Sequence, residues 1–297
     1  MDRAALVGLI KEIRREMPRI GVRKLKVILK GMGIDIGRDR LFDIMSEYGL
    51  LLTRTHRRII TTYSRHWMKK WPNLVRDFVP TGPDQEWVCD ITYVALYERG
   101  RRKFMYLSLV TDAYTHEIVG YALHDTLDTE GPLRALEMAI ASHPAESLRG
   151  LIHHSDRGCQ YCSKEYVSRL QACGIRISMT EKGDPYENAI AERVNGILKT
   201  EWLYQTRLMS RTMAQREIDR IVWLYNNKRP HSSIGNMTPV QARMAVVALP
   251  KLWKNYYATR NAPGQQTAGE ESPYAELPAA APDCSRRKSY TAAAVPL

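Results

Sequence analysis

The spacing of apolar positions changes character along the chain. In the first 50 residues, apolar side chains recur at intervals of three and four, the period of a helix with one buried face. The pattern predicts three short helices over residues 3–17, 22–31 and 38–49. Pro18 and Gly21 separate the first two helices, and the glycine-rich stretch "GMGIDIG" separates the last two.

From Trp87 onward the pattern becomes that of strands. The segments "EWVCDITYVALYE", "FMYLSLVTDAY" and "HEIVGYALH" are rich in β-branched and aromatic residues, and "RGRRK" forms a turn between the first two. Helix and strand segments then alternate, ending in two longer helices over residues 188–204 and 211–227. We therefore expect an α/β fold, a mixed sheet with helices packed on it.

These patterns divide the chain into five segments. Residues 1–52 resemble a helix-turn-helix module, although any small three-helix bundle would fit the same pattern. A basic linker follows over residues 53–84, and the sheet-containing core spans residues 85–205. Residues 206–257 form a C-terminal helical extension. The tail over residues 258–297 loses all periodicity, and we predict that it is disordered.

Charge is concentrated near the start of the chain. The formal net charge is +12, and residues 1–76 hold 18 Lys and Arg against 7 Asp and Glu. Such asymmetry favours a polyanionic partner, most simply nucleic acid. The alternative is a solvated basic surface that serves solubility alone.

Other bulk features exclude several classes of protein. No apolar run approaches the ~20 residues that a membrane span requires. The first 20 residues mix acidic and basic side chains and lack a signal-peptide pattern, so we expect a cytosolic protein. Five cysteines scattered through 297 residues do not indicate a disulfide framework.

Three carboxylates stand at positions suited to chemistry. Asp90 lies in the middle of the first strand, and Asp156 directly follows the fourth strand. Glu192 lies in the long helix, where Asn188 four residues before it and Lys199 seven residues after it share its helical face. Three converging oxygen ligands would suit Mg²⁺ or Mn²⁺. Two such ions about 3.5–4 Å apart can support an in-line phosphoryl transfer.

The stretch "HHSDRGCQYCSKEY" offers a rival interpretation as a zinc site. His153, His154, Cys159 and Cys162 are all zinc-ligand types, but the histidines are adjacent and only one Cys-x-x-Cys pair is present. We therefore favour Asp156 as the important residue of this stretch. His154 could be a group near the metal site or a partly exposed loop residue.

Several other residues keep two interpretations. Asp112 is interpreted as a turn residue at a strand end. The aromatic residues Tyr63, Trp67 and Trp71, set among basic residues, could stack on nucleic-acid bases or pack on the core. Arg229 and His231 in "KRPHSS" could contact DNA or hold their loop to the core by hydrogen bonds.

The motifs together resemble a known family. "WVCDITYV", "HSDRGCQY" and "GDPYENAIAERVNGILKTEW" resemble the three catalytic blocks of retroviral-integrase-like transposases, and 35 residues separate Asp156 from Glu192 as in that superfamily. "YNNKRPHSSIGNMTPVQAR" and the N-terminal basic helices are similar to the flanks of that core in bacterial insertion-sequence transposases. The match is to the second-frame product (OrfB) of the IS-three family and covers roughly residues 10–245. Only Cys159, Cys162, Glu187 and the tail depart from the usual pattern.

This resemblance implies an RNase-H-like five-stranded sheet and DNA strand cleavage and joining. It implies that Asp90, Asp156 and Glu192 hold the metal ions, two Mg²⁺ or Mn²⁺. It also implies at least a dimer on element-end and target DNA, an upstream-frame DNA-binding protein as partner or fusion, and a cytoplasmic location at the bacterial nucleoid. The implied or candidate DNA-contacting residues are Lys199, Asn188, Arg193, Arg23, Lys24, Arg38, Arg40, Arg229 and His231.

Two alternatives stay open at the level of sequence. One is an RNase-H-like nuclease that hydrolyses nucleic acid without joining strands. The other is a catalytically silent DNA-binding regulator that competes for element ends.

Overall fold

A five-stranded mixed sheet organises the chain. The computed structural model describes residues 2–53, 67–181 and 188–245. The strands lie in the order β3-β2-β1-β4-β5. The first three are antiparallel neighbours, whereas β4 runs parallel to β1 and β5 runs parallel to β4. Their bounds are β1 Glu86–Glu98, β2 Arg101–Asp112, β3 Ile118–His124, β4 Ile152–Ser155 and β5 Arg176–Met179. The predicted five-stranded mixed sheet with flanking helices is confirmed.

The hairpin between β1 and β2 is tighter than the sequence predicts. We expected a turn through all of "RGRRK", but the turn consists of Arg99 and Gly100, with φ of 49° and 77°. Two residues at positive φ form the two-residue turn whose twist matches antiparallel strands. The ladder therefore closes at once, pairing Glu98 with Arg101, and residues 101–103 belong to β2.

Helices cover both faces of the sheet. One hydrophobic layer lies between the sheet and α4 and α7, and Gly120 on β3 is essential to it. A Cβ at this position would lie 2.1 Å from the Ala135 carbonyl oxygen, so only glycine allows α4 to approach so closely. The helices between β3 and β5 are α4 Glu130–Ala141, α5 Ala145–Leu148, α6 Cys159–Cys162 and α7 Lys164–Ala172.

The opposite layer joins the N-terminal helices to the rest of the core. These helices are α1 Arg3–Glu16, α2 Val22–Gly31 and α3 Arg38–Glu47, and they share one hydrophobic cluster with residues of β1–β3, α8 Ala189–Glu201 and α9 Arg211–Asn227. Trp202 is fully buried, and its indole N–H donates to the Glu16 carbonyl oxygen at 2.8 Å. The helices predicted as a separate module are thus packed directly on the core.

The linker and the C-terminal extension are also fastened to the sheet. Met179 of β5 donates its backbone N–H to the Pro72 carbonyl oxygen at 3.3 Å, and the Leu74 N–H donates to the Ser178 hydroxyl at 2.8 Å. After α9 come the 3₁₀ turn Ser232–Ile234 and α10 Pro239–Met244; another 3₁₀ turn, Leu203–Gln205, follows α8. The predicted disordered tail lies outside the described residues.

Helix lengths also bear on the membrane question. In the part of the chain that the structure describes, no helix combines the length and the apolar character needed to cross a bilayer.

Candidate active site

Sheet topology brings two of the three predicted carboxylates together. Parallel pairing of β1 with β4 ends at Cys89 and Ser155. Asp90 and Asp156 are the next residues on the two chains, so they follow the last pair side by side. The Asp156 carboxylate is also fixed locally, because its Oδ1 accepts the Gly158 backbone N–H at 2.9 Å.

The Asp90 carboxylate lies in unfavourable surroundings for a negative charge. Burial, and then the neighbouring charge of Asp156, raises the pKa of Asp90 to about 7. The backbone N–H of Ile91, the Asn195 amide and the charge of Lys199 act in the opposite direction but do not cancel these effects. A carboxylate held in this way gains from any additional cation placed near it.

Helix α8 supplies the polar groups that face β1. The Asn195 side-chain amide donates to Asp90 Oδ2 at 2.7 Å, and the Asn188 amide donates to the Cys89 carbonyl oxygen at 3.1 Å. Both asparagines are buried, and their Oδ1 atoms find no hydrogen-bond partner among the described residues. Two buried acceptor oxygens beside a carboxylate pair suit a site that receives a cation or a donor from a ligand.

Asn195 was missed by the sequence reasoning, although a signal was available. It lies seven residues after Asn188 and three after Glu192, which places it on the same helical face. We had counted only Asn188, Glu192 and Lys199 on that face.

Glu192 lies between the two asparagines on α8 and is exposed. Among residues 2–53, 67–181 and 188–245, no three His, Cys, Asp or Glu side chains are gathered closely enough to hold a metal ion. The structure thus brings Asp90 and Asp156 together and puts Glu192 on the helix that contacts Asp90. It does not draw the three carboxylates into one cage. The metal-ligand role of all three remains a prediction.

Lys199 and Arg193 complete the basic side of α8. Burial lowers the pKa of Lys199, whereas the charge of Asp90 raises it, so the ammonium group lies within electrostatic reach of the Asp90 carboxylate. Arg193 is exposed.

Both histidines and Cys162 of "HHSDRGCQYCSKEY" have partners other than a metal ion. His153 Nε2 lies 2.9 Å from the Tyr166 hydroxyl, and His154 Nδ1 lies 2.8 Å from the Ser178 hydroxyl. The Cys162 thiol contacts the Met179 sulfur at 3.7 Å. His154 is a fully buried strand residue, so its interpretation as a partly exposed loop residue was wrong. Strand β4 begins at Ile152 and lies inside the sheet, between β1 and β5.

The other residues with two interpretations also have defined positions. Asp112 caps the turn after β2, accepting the N–H groups of Tyr114 and Thr115 at 3.1 Å and 2.7 Å, as expected of a turn residue. Trp71 packs against the core, whereas Trp67 is 92% exposed. Tyr63 lies outside the described residues.

Arg229 and His231 are buried beneath the surface. The Arg229 guanidinium forms two hydrogen bonds with the Glu201 carboxylate, at 2.8 Å and 2.7 Å, and is 1% exposed. Lys24 of α2 lies 3.5 Å from the same carboxylate. Burial and hydrogen bonding of this kind are what we expect if Arg229 and His231 hold their loop to the core. Their contact with DNA remains a prediction.

Comparison with known proteins places the chain in a family. Two models of the integrase core domain match, one over residues 80–185 and one over residues 173–239. The chain is 40% identical to the "Insertion element IS600 uncharacterized 31 kDa protein" of Shigella sonnei, over 75% of this chain and 80% of that protein. It is 34% identical to the "Transposase for insertion sequence element IS629" of Shigella sonnei, over 77% and 75% of the two chains. It is 29% identical to "Transposase InsF for insertion sequence IS3A" of Escherichia coli strain K12, over 76% and 77%. The chain therefore belongs to the insertion-sequence transposases of the IS3 type, which carry an integrase core domain.

Proposed function

We propose that this transposase cleaves and joins DNA strands at the edge of the sheet where Asp90 and Asp156 meet. The observation that carries this proposal is the half-buried like-charge pair of Asp90 and Asp156, with the pKa of Asp90 raised to about 7. A structural carboxylate has no need of such surroundings, whereas a metal-dependent phosphoryl-transfer site is built from them.

Asp90, Asp156 and Glu192 would hold Mg²⁺ or Mn²⁺, in one or two sites. The donor set fits these ions, because it consists of hard oxygen atoms with two carboxylates already adjacent. The bound ions would activate a water or a DNA 3′-hydroxyl and neutralise charge on the phosphate under attack. Glu192 is exposed on the helix that also carries Asn195, so its carboxylate is accessible to an incoming ion.

The protein's own groups position these carboxylates. Asn195 orients Asp90 by its hydrogen bond, and Asn188 ties the start of α8 to the backbone of β1. Lys199 offsets part of the negative charge at Asp90. Lys199, the exposed Arg193 and the basic residues of α2 would pair with DNA phosphates.

The partners follow from the same chemistry. Joining two element ends to a target requires that several DNA segments meet, so we propose at least a dimer on DNA. An upstream-frame DNA-binding protein, as partner or fusion, also remains part of the proposal.

Catalysis is tested with a labelled DNA duplex that carries the element's end, incubated with Mg²⁺ or Mn²⁺. We expect joined products from the unmodified protein and none from Glu192→Gln, with DNA binding retained in both. Glu165→Gln, which alters an exposed glutamate of α7, is the matched control and should join normally.

Other outcomes identify the alternatives. Nicking without joining by the unmodified protein would indicate a nuclease. DNA binding without metal-dependent chemistry, even with the upstream-frame protein present, would indicate a silent DNA-binding protein. Full joining by Glu192→Gln would remove that residue from the site.

A further inference from the structure

The outward surfaces of α2 and α3 carry opposite charges. Helix α2 buries Leu25 and Leu29 and contains no acidic residue. Its outward positions, separated by three and four residues, are Arg23, Lys26 and Lys30, which therefore form one basic stripe. None of these three side chains has a carboxylate within 4.0 Å among the residues that the structure describes.

Helix α3 presents the reverse arrangement. It buries Leu41, Ile44 and Met45, and the opposite side of the helix carries the exposed acidic residues Asp39, Asp43 and Glu47 at intervals of four. Arg38 is already paired, with its guanidinium 2.8 Å from the Asp39 carboxylate, and Arg3 of α1 lies 3.6 Å from Glu47. If α3 were inserted into a groove of DNA, its outermost carboxylates would face phosphates.

The connection between these helices also differs from a helix-turn-helix. Six residues, 32–37, join α2 to α3. A helix-turn-helix uses a turn of about 3–4 residues to present its second helix to the major groove. The connection is therefore longer than the one that presents a second helix, here α3, to the major groove.

The start of α2 is fixed to the C-terminal end of helix α8. Lys24 lies 3.5 Å from Glu201, the last residue of α8. Burial, and then the charge of Arg229, lower the pKa of Lys24. The charge of Glu201 raises it, and that of Arg193 lowers it, so the charge of Arg193 on α8 reaches α2. Arg193 directly follows Glu192. The basic stripe of α2 therefore begins close to the helix that carries the predicted catalytic glutamate.

We infer that α2, through Arg23, Lys26 and Lys30, is the helix that contacts the DNA backbone, and that α3 does not. This inference rests on the proposed function and specifies its DNA surface: phosphates of one duplex run from the Asp90–Asp156 edge past Arg193 onto α2. The occupant is double-stranded DNA, because three cations in a row, with no carboxylate partner in the part of the chain that the structure describes, complement its phosphate charge.

The test compares two double variants of the full chain that remove the same charge. Binding of an element-end duplex is measured in EDTA over a series of salt concentrations. In Arg23→Gln/Lys26→Gln, we expect the slope of log affinity against log salt to shrink by about 2, because each lost phosphate contact removes about 0.9. The matched control Arg38→Gln/Arg40→Gln should keep the slope of the unmodified chain. Thermal unfolding of both variants checks that each is folded.

The opposite pattern would overturn the inference. Equal slopes for the two variants, or a larger loss from the α3 pair, would assign the DNA surface elsewhere. The joining assay separates this failure from that of the proposed function. Joined products with reversed slopes reject only the α2 surface, whereas a slope loss confined to α2 without joined products upholds the surface and rejects the chemistry.

Discussion

Two carboxylates, one on α8 and one facing it, have opposite electrostatic surroundings. Glu201, at the end of the helix, meets two cations, Arg229 and Lys24. Burial raises its pKa, but the hydrogen bonds and charge of Arg229 prevail and hold the pKa of Glu201 below its usual value. Asp90, facing the middle of the same helix, meets a second carboxylate, and its pKa is raised to about 7.

This difference distinguishes a buried carboxylate that stabilises the fold from one that serves a functional site. A buried carboxylate with well-placed cations fixes elements to one another, here α2, α8 and the loop at Arg229. A buried carboxylate beside a like charge destabilises the protein unless a ligand compensates it, and such positions cluster at functional sites. Three experiments test this contrast, from the largest expected effect to the smallest.

Removing the cation from the compensated site should have the largest effect. In Arg229→Met the Glu201 carboxylate stays buried without its main partner, so the free energy of unfolding should fall by about 3–5 kcal/mol in denaturant titrations. Arg134→Met, which breaks an exposed pair with Glu130, should cost less than about 1 kcal/mol. A loss of similar size in both variants would refute the structural role of the buried pair.

Removing the charge from the uncompensated site should stabilise the protein. We expect Asp90→Asn, measured in EDTA at pH 8, to gain on the order of 1–3 kcal/mol of unfolding free energy, since a raised pKa means that ionisation opposes folding. The folded carboxyl keeps its proton up to about pH 7, whereas the unfolded one loses it near its ordinary value of 3.8. The stability of the unmodified protein relative to the variant should therefore fall as pH rises from about 4 to 7, and level off above.

The same two proteins are also compared in the presence of Mg²⁺. Mg²⁺ at ten times its dissociation constant should stabilise the unmodified protein by about 1.4 kcal/mol and leave Asp90→Asn nearly unchanged. A variant that is less stable than the unmodified protein at every pH would show that Asp90 is a structural residue.

Removing the hydrogen bond that orients Asp90 should have the smallest effect. Asn195→Ala removes the amide that orients Asp90, so we expect strand joining to slow by roughly 10–100-fold while DNA affinity stays unchanged. Asn227→Ala, at an exposed amide that donates to the Trp223 carbonyl oxygen, is the matched control and should join at the normal rate. Equal rates for the two variants would mean that Asp90 needs no support from α8.

The sequence predicts the elements of this fold well where the local pattern is strong. The first strand and α9 have the predicted bounds, residues 86–98 and 211–227. Periodicity carries this information because each element buries one side regardless of what covers it. The position of Asp90 within its strand and of Asp156 after another follows from the same pattern.

The partners of individual side chains could not be predicted in this way. Arg229 is separated by 28 residues from Glu201, and Arg243 by 159 from Asp84, so only the folded chain reveals these pairs. Likewise, the burial of Trp202 against α1 shows that the N-terminal helices pack on the core. The composition of the linker that follows these helices gives no sign of this packing.

The buried pairs at Glu201 have one more consequence for DNA. Because Lys24 and Arg229 both bind this carboxylate at the end of α8, α2 has a fixed distance and direction from Asp90. A duplex held by α2 would then meet the carboxylates at a constant number of base pairs from its point of attachment. The distance between the DNA attached to α2 and the cleaved bond would then be set by the rigid packing of α2 on α8. It would not depend on the length of a flexible linker.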